Sequence, residues 1–161
     1  MSWQEPRRPS SGSKDKYMRF VGFFQEMDVL LDGASMESIH DHLTGHTPYH
    51  KERAIAYLRS GHPVFDITEL TTDAIGAKFH VAGGSSLLTD GENVWREDLA
   101  SYVQHYAVGL PVDFLQFMEA HGYVVPPVGR DRLIEISTSA TEQLGFRPSR
   151  GSGPRRHSGD V

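Results

Sequence analysis

The feature that most constrains this chain is a change of period at its middle. Between His62 and Trp95 the apolar residues come in short runs: HPVFDIT at 62–68, KFHV at 78–81, Ser86–Leu88 and Val94-Trp95. Runs of this length, alternating or β-branched and bounded by turn residues, are strand signals. Asp90-Gly91 separates the last two, and that dipeptide favours the tight turn of a hairpin. Gly83-Gly84 marks a second turn. On either side the apolar residues return at three- and four-residue steps, the period of helices. This arrangement predicts an α+β domain: a small central antiparallel sheet or hairpin, about residues 63–95, packed by flanking helices.

The flanks read as follows. Phe20, Phe23, Phe24, Met27, Leu30 and Leu31 form one stripe and predict a helix over 17–32, stopped by Gly33. A short helical piece follows at 35–43, begun by Ser35. Residues 48–60 predict a helix N-capped by Thr47, with Pro48 in its first turn and Ala54, Ile55, Tyr57 and Leu58 inward. Gly61 and Pro63 end it. Glu97 and Asp98 suit the N-terminus of a helix over 97–107, with Leu99, Tyr102, Val103 and Tyr106 on one face. Pro111 opens another at 111–121, with Phe114, Leu115 and Met118 inward. Glu69–Ala77 has no clear period, and 131–144 fits either a strand followed by a helix or a loosely packed appendage.

Apolar side chains are scarce at both ends of the chain. Residues 1–16 hold Trp3 as their one large apolar residue beyond Met1, and 146–161 hold Phe146 and Val161. Such segments bury too little to offset the entropy of ordering, so both are expected to be disordered basic tails around a single domain, 17–145. The chain carries −5 and the tails +2 and +3, which leaves −10 for the domain. A particle of that charge repels phosphate backbones and favours encounter with a basic protein; Arg-rich tails allow weak nucleic-acid contact at most. The absence of cysteine excludes disulfides, thiolate metal sites and a Cys nucleophile. No signal-peptide core or membrane-length apolar run is present, so the expected setting is soluble and cytoplasmic, with no membrane partner.

Two groups of residues could carry chemistry. His40, His42, His46 and His50 fall within eleven positions, and imidazole is a common zinc ligand. A metal there would draw on His42, His46 and His50, with Asp41 as a fourth ligand or an outer partner. The spacing is neither HExxH nor a Cys/His finger, and Gly45 and Pro48 also fit a solvated turn. The second group runs from Leu87 to Phe114 and holds Asp90, Glu92, Trp95, Arg96, Asp98, Tyr102, His105 and Tyr106. A catalytic reading makes Asp90 or Asp98 an acid/base partnered by His105. A structural reading has Asp90-Gly91 turn the chain, Trp95 pack inside, Asp98 favour a helix start and Arg96 pair locally. A binding reading lines a small-molecule pocket with Trp95, Tyr102, Tyr106 and His105. Gly83-Gly84-Ser85-Ser86 has neither the Gly-Lys-Ser/Thr of a phosphate loop nor the flanks of a nucleophile elbow.

Thr89-Asp90-Gly91, Trp95-Arg96, Asp98-Leu99, Tyr102-Val103, Tyr106, Leu110-Pro111 and Phe114-Leu115, preceded by the AYLRSG of Ala56–Gly61, resemble a stretch shared by a group of small, uncharacterised bacterial proteins frequent in actinobacteria. The match spans about residues 54–118. Asn93 stands where that group usually has a first Trp, and Ser101 where it has a first Tyr. The resemblance implies a fold and a lineage, and proteins of this look resemble immunity proteins and small regulators. With the acidic domain and the missing catalytic templates, it leads to a non-enzymatic protein-interaction domain for a basic partner, with Asp90, Glu92, Trp95, Arg96, Asp98, Tyr102 and Tyr106 as interaction residues and no cofactor. The alternative is a zinc-binding protein or metal-dependent enzyme built on His40–His50.

Overall fold

In a computed structural model the chain is described at residues 18–27, 37–45 and 47–144; the expected tails lie outside these residues. The strands are Arg19–Val21 (β1), His62–Phe65 (β2), Leu70–Thr72 (β3), His80–Ala82 (β4), Leu87–Thr89 (β5) and Asn93–Arg96 (β6). The helices are Lys51–Arg59 (α1), Leu99–His105 (α2), Val112–Ala120 (α3) and Arg130–Gln143 (α4). The expected α+β class is what the molecule shows.

A four-stranded sheet in the order β1-β6-β5-β2 forms the centre, and β3-β4 pair as a separate hairpin. β5 and β6 are joined through Asp90-Gly91, with Leu88 opposite Trp95 and Thr89 opposite Val94. Gly91 sits at φ +105, a value that side-chain-bearing residues rarely adopt. β2 runs antiparallel to β5, whereas β1 joins β6 in parallel, so the sheet is mixed.

Every residue of β5 and β6 is buried, because both faces of the sheet are covered. Alternation sends Leu88 and Trp95 to one face, where they pack with Tyr57, Leu58, Leu99, Phe114 and Met118. It sends Leu87 and Val94 to the other, against Met18, Phe23 and the Ile136 and Ala140 of α4. Each Leu, Ile or Phe withdrawn from water here contributes about 1.5–3 kcal/mol. α1 packs on α2, and α4 packs against β2.

Several expectations are corrected. Residues 17–32 are not one helix: Arg19–Val21 is the edge strand, and Gln25–Met27 is a 3-10 turn. Gly22, between them, has φ +77, and the Leu99 side chain lies 2.7 Å from where its Cβ would be. The phenylalanine spacing therefore serves two cores, Phe24 in one and Phe23 in the other. Met27 is the last described residue there, and 28–36 lie outside the description. Within the piece expected at 35–43, Ile39–His42 is a 3-10 turn capped by Ser38, and Ser35 lies outside the described residues. α1 is N-capped at His50, not Thr47. Leu70–Thr72, aperiodic in sequence, finds its partner in His80–Ala82. Residues 130–143 are a helix, with Ile136, Ser139 and Ala140 buried. Among the described residues no helix is long and apolar enough to cross a membrane.

Candidate functional site

The polar residues of the Leu87–Phe114 segment divide between the two ends of the β5–β6 hairpin. At the turn, Asp90 is 1 % exposed and its carboxylate is surrounded by donors. Oδ1 accepts from the N–H groups of Glu92 (3.0 Å) and Asn93 (2.7 Å) and from the Asn93 amide (3.1 Å). Oδ2 accepts from the Asn93 amide (2.9 Å) and the Tyr57 hydroxyl (2.7 Å). The Thr89 hydroxyl closes the turn, donating to Asn93 O at 2.6 Å and accepting from the Gly91 N–H at 3.0 Å. Asn93 Oδ1 in turn accepts from Arg19 Nε at 2.8 Å, which ties the turn to the edge strand. Burial, followed by the charge and hydrogen bond of Asp90, pushes the Tyr57 hydroxyl pKa well above its ordinary value. Asn93, one of the two positions where this chain departs from the resembled stretch, is thus a member of a closed polar network.

At the open end of the hairpin, Arg96 and Asp98 form a buried bidentate pair. Arg96 Nε donates to Asp98 Oδ1 (3.0 Å) and Nη2 to Oδ2 (2.8 Å), with both side chains under 5 % exposed. Thr71 on β3 donates to Asp98 Oδ2 at 3.0 Å. Gly84 makes this crossing possible: a Cβ there would lie 1.8 Å from Thr71 Oγ1. The Gly83–Ser86 loop also anchors the start of α2, since the N–H groups of Glu97 and Asp98 donate to Ser86 O and Gly84 O. Ser86 Oγ accepts from the Ile67 N–H and donates to Ile67 O.

Beside this pair lies a cleft of about 340 Å³, walled by Met27, Ile67 and Ala74, with Ser85, Arg96 and Tyr102 among its lining and Glu26 and Glu69 as its acids. The Tyr102 hydroxyl accepts from the Ala74 N–H at 2.9 Å, which leaves its own proton to donate. Burial raises its pKa against that N–H, so the proton stays on at neutral pH. Burial alone would raise the pKa of Glu26, but the Ser38 hydroxyl and the Ile39 N–H hold it below its ordinary value. Nearby, the Asp73 carboxylate gathers the N–H groups of Ile75 and Lys78 and the Tyr106 hydroxyl (2.5 Å). Burial pushes Asp73 up, but these donors hold it below the usual carboxylate range. Burial and the Asp73 bond push Tyr106 up to about 12.

Most of the residues expected at an interaction surface are therefore interior. Asp90, Trp95, Arg96, Asp98 and Tyr102 are at most 3 % exposed and offer no surface to a protein partner in this conformation. The physical reason is that the sheet is covered on both faces, so the segment that looks most distinctive in sequence lies at the centre of the molecule. Trp95 packs in the core and its indole N–H donates to Leu58 O at 2.9 Å. Glu92 is exposed and pairs with Arg19 at 3.4 Å; Tyr106 is half-buried. The aromatic small-molecule pocket does not form, because Trp95 and Tyr102 are packed and His105 lies outside, stacked on Phe79 at 5.0 Å. Neither Asp90 nor Asp98 is hydrogen-bonded to His105.

In the histidine cluster, His42 Nε2 meets Glu37 Oε1 at 2.6 Å and its ring tilts over Phe24. His50 meets the edge of Tyr123, 6.3 Å between ring centroids. His40 and Asp41 are exposed, and His46 lies outside the described residues. Among the described residues no three His, Asp or Glu side chains are grouped to hold a metal ion.

Sequence reasoning dismissed Ser85 with the glycine loop, gave no role to Thr71 or Asp73, and read Tyr57 as an inward helix residue and Asn93 as a departure from the resembled stretch, with no polar role for either. The available signal was Gly83-Gly84 itself, since paired glycines mark places where backbone is approached closely.

Fold and site together define an acidic α+β domain with a polar cleft beside its central hairpin. No known family model, curated protein or solved structure matches the chain.

Proposed function

We propose that this chain is a non-enzymatic protein-interaction domain that engages a basic partner through its acidic surface, in the manner of an immunity protein or small regulator. The observation that supports this reading is where the carboxylates stand. The buried ones, Asp73, Asp90 and Asp98, are occupied by internal donors. Of the outer ones, Glu26 and Glu69 line the cleft. Ile67 is bonded to Ser86, whose carbonyl holds the Glu97 N–H, so Asp66, Glu69 and Glu97 share one side of the molecule. Burial and then the charges of Asp98 and Asp66 raise the pKa of Glu97, with Arg59 opposing them. A basic partner landing there relieves that repulsion, and its encounter is steered by the excess negative charge. Binding also lowers the raised Glu97 pKa, so affinity falls as the pH drops into the range where Glu97 takes up a proton.

The test is enrichment from the source extract at low salt, followed by titration of the purified partner. Its Kd is expected to weaken about tenfold or more between about 50 and 300 mM salt, as surface electrostatics are screened. Asp66→Asn with Glu69→Gln should slow association and flatten that salt dependence. Affinity that ignores both salt and substitutions, or no partner retained at low salt, would overturn the reading.

A further inference from the structure

Among the described residues two buried side-chain polar atoms have no partner: Ser85 Oγ and Arg96 Nη1. Both belong to side chains that line the same cleft. Ser85 is 8 % exposed and Arg96 3 %. A buried donor left unmade costs about 1–3 kcal/mol, and more when charged, so two in the lining of one cleft are not expected by chance. The Tyr102 hydroxyl supplies a third donor to the same space, because its oxygen is already taken by Ala74 N–H. Ser85, Arg96 and Tyr102 thus bring three unused donors to the lining of one cleft, and grouped donors suit an oxygen anion.

Charge narrows the choice. Arg96 is already neutralised by Asp98 through a bidentate contact. Glu26 and Glu69 add two negative charges to the lining. A bare anion entering this cleft gains the donors but meets a net repulsion. A ligand that carries its own cation meets attraction at both ends. The volume is at the small end of ligand pockets, roughly 300–1,000 Å³, which suits a molecule of amino-acid size. Met27, Ile67 and Ala74 give its stem apolar contact.

We infer that the cleft binds a small zwitterion of the basic amino-acid class, with its carboxylate on Ser85, Arg96 and Tyr102 and its cationic group against Glu26 and Glu69. This holds independently of whether the outer surface binds a protein. The hairpin β3–β4 forms one wall through Thr71 and Thr72, so the ligand joins that separate hairpin to the central sheet. Bound ligand should therefore stabilise the domain by mass action.

The experiment is calorimetric titration and thermal melting of the full chain with L-arginine and L-lysine, each up to about 10 mM, beside acetate and n-butylamine as the separate halves. Saturable binding of at least one amino acid, with a raised Tm, is expected; each half alone should bind about tenfold more weakly or not at all. Ser85→Ala should weaken binding about tenfold while leaving the Tm unchanged or higher, since that hydroxyl has no partner to lose. Glu69→Gln, an exposed substitution, should weaken L-arginine and L-lysine but not acetate. No saturable binding by either amino acid, or equal affinity in both variants, would overturn the inference. A Tm lowered in Ser85→Ala would also overturn it, by showing that the hydroxyl is already satisfied.

Discussion

The two ends of one hairpin handle buried polar groups in opposite ways. At the Asp90 end the carboxylate oxygens, the Asn93 amide and the Thr89 and Tyr57 hydroxyls all find partners, either within the turn itself or through Tyr57 of α1 and Arg19 of β1. At the Arg96 end the guanidinium and Asp98 satisfy each other, yet Arg96 Nη1 and Ser85 Oγ are left over. A closed network holds its members rigid and specifies one arrangement, whereas a half-satisfied one is costly and stays only where something offsets it. The comparison separates a structural end, built to fix the turn, from an end with unused hydrogen-bonding capacity. Backbone geometry agrees, because the closed end is a tight Gly91 turn while the open end abuts a second hairpin through Gly84.

The largest effect should come from breaking the open end's charge pair. Asp98→Ala strips the buried Arg96 of its one ion-pair partner among the described residues and removes an acceptor for Thr71. Loss of one partner of a buried pair costs about 3–5 kcal/mol, so this variant should show that much lower stability by urea unfolding. Replacing both residues at once, with Arg96→Met and Asp98→Leu, should recover most of the loss, because no uncompensated charge remains. If the double variant is as unstable as the single one, the pair is holding the β3 crossing through Thr71 rather than merely neutralising itself.

At the closed end the matching substitution is smaller. Tyr57→Phe removes one donor from a carboxylate that keeps its contacts to Asn93 and to two backbone N–H groups. A hydrogen bond to a charged group is worth about 1.5–3 kcal/mol, and the remaining donors should keep the loss at the lower edge of that range. A loss as large as that of Asp98→Ala would mean that the two ends are not different in kind.

How far the sequence discloses this comparison depends on distance along the chain. The turn was legible because Asp-Gly acts locally, and so were α1 and α3, whose periods and stops lie within a dozen residues. β1 was not, because Val21 pairs with Trp95 across more than seventy positions, and its phenylalanines fit a helical stripe equally well. β3 was missed for a different reason: its partner is only 8 to 12 positions away, but alone Leu70–Thr72 has no pattern that its partner strand does not supply. For the site, the pairing of Arg96 with Asp98 two residues on was readable. That the pair is sealed in the interior, and that Ser85 shares its cleft, required the covering of both sheet faces. The distinctive residues of the segment looked like a surface motif and are instead largely its core.

A smaller effect, visible in pH, distinguishes a third polar centre from both ends. Asp73 has a folded pKa below its unfolded value of 3.8, so it contributes stability above that value which is lost as pH falls through the folded one. Tyr106 runs the other way. Its pKa rises from 10.0 to about 12, so its contribution is complete below pH 10 and disappears between about pH 10 and 12. Tyr106→Phe should flatten the alkaline limb of a stability–pH profile and make the acid limb shallower, since Asp73 loses a donor. Unchanged limbs would show that this hydrogen bond is not maintained in solution.

The smallest effect belongs to Glu92, the exposed member of the expected interaction set. Arg19 holds it by a single contact of 3.4 Å, while the same guanidinium donates to Asn93 at 2.8 Å inside the closed network. Exposed ion pairs contribute about 0–1 kcal/mol, so Glu92→Gln should leave unfolding nearly unchanged. Arg19→Ala should cost more, because it leaves Asn93 Oδ1 without a donor. The two substitutions therefore measure, on one side chain, the boundary between the closed end of the hairpin and the acidic surface. The same Glu92→Gln variant also tests where a basic partner lands. If its association rate falls as much as that of the Asp66 and Glu69 variant, the partner approaches along the hairpin turn. If it does not, the approach is confined to the side of the molecule that carries the cleft.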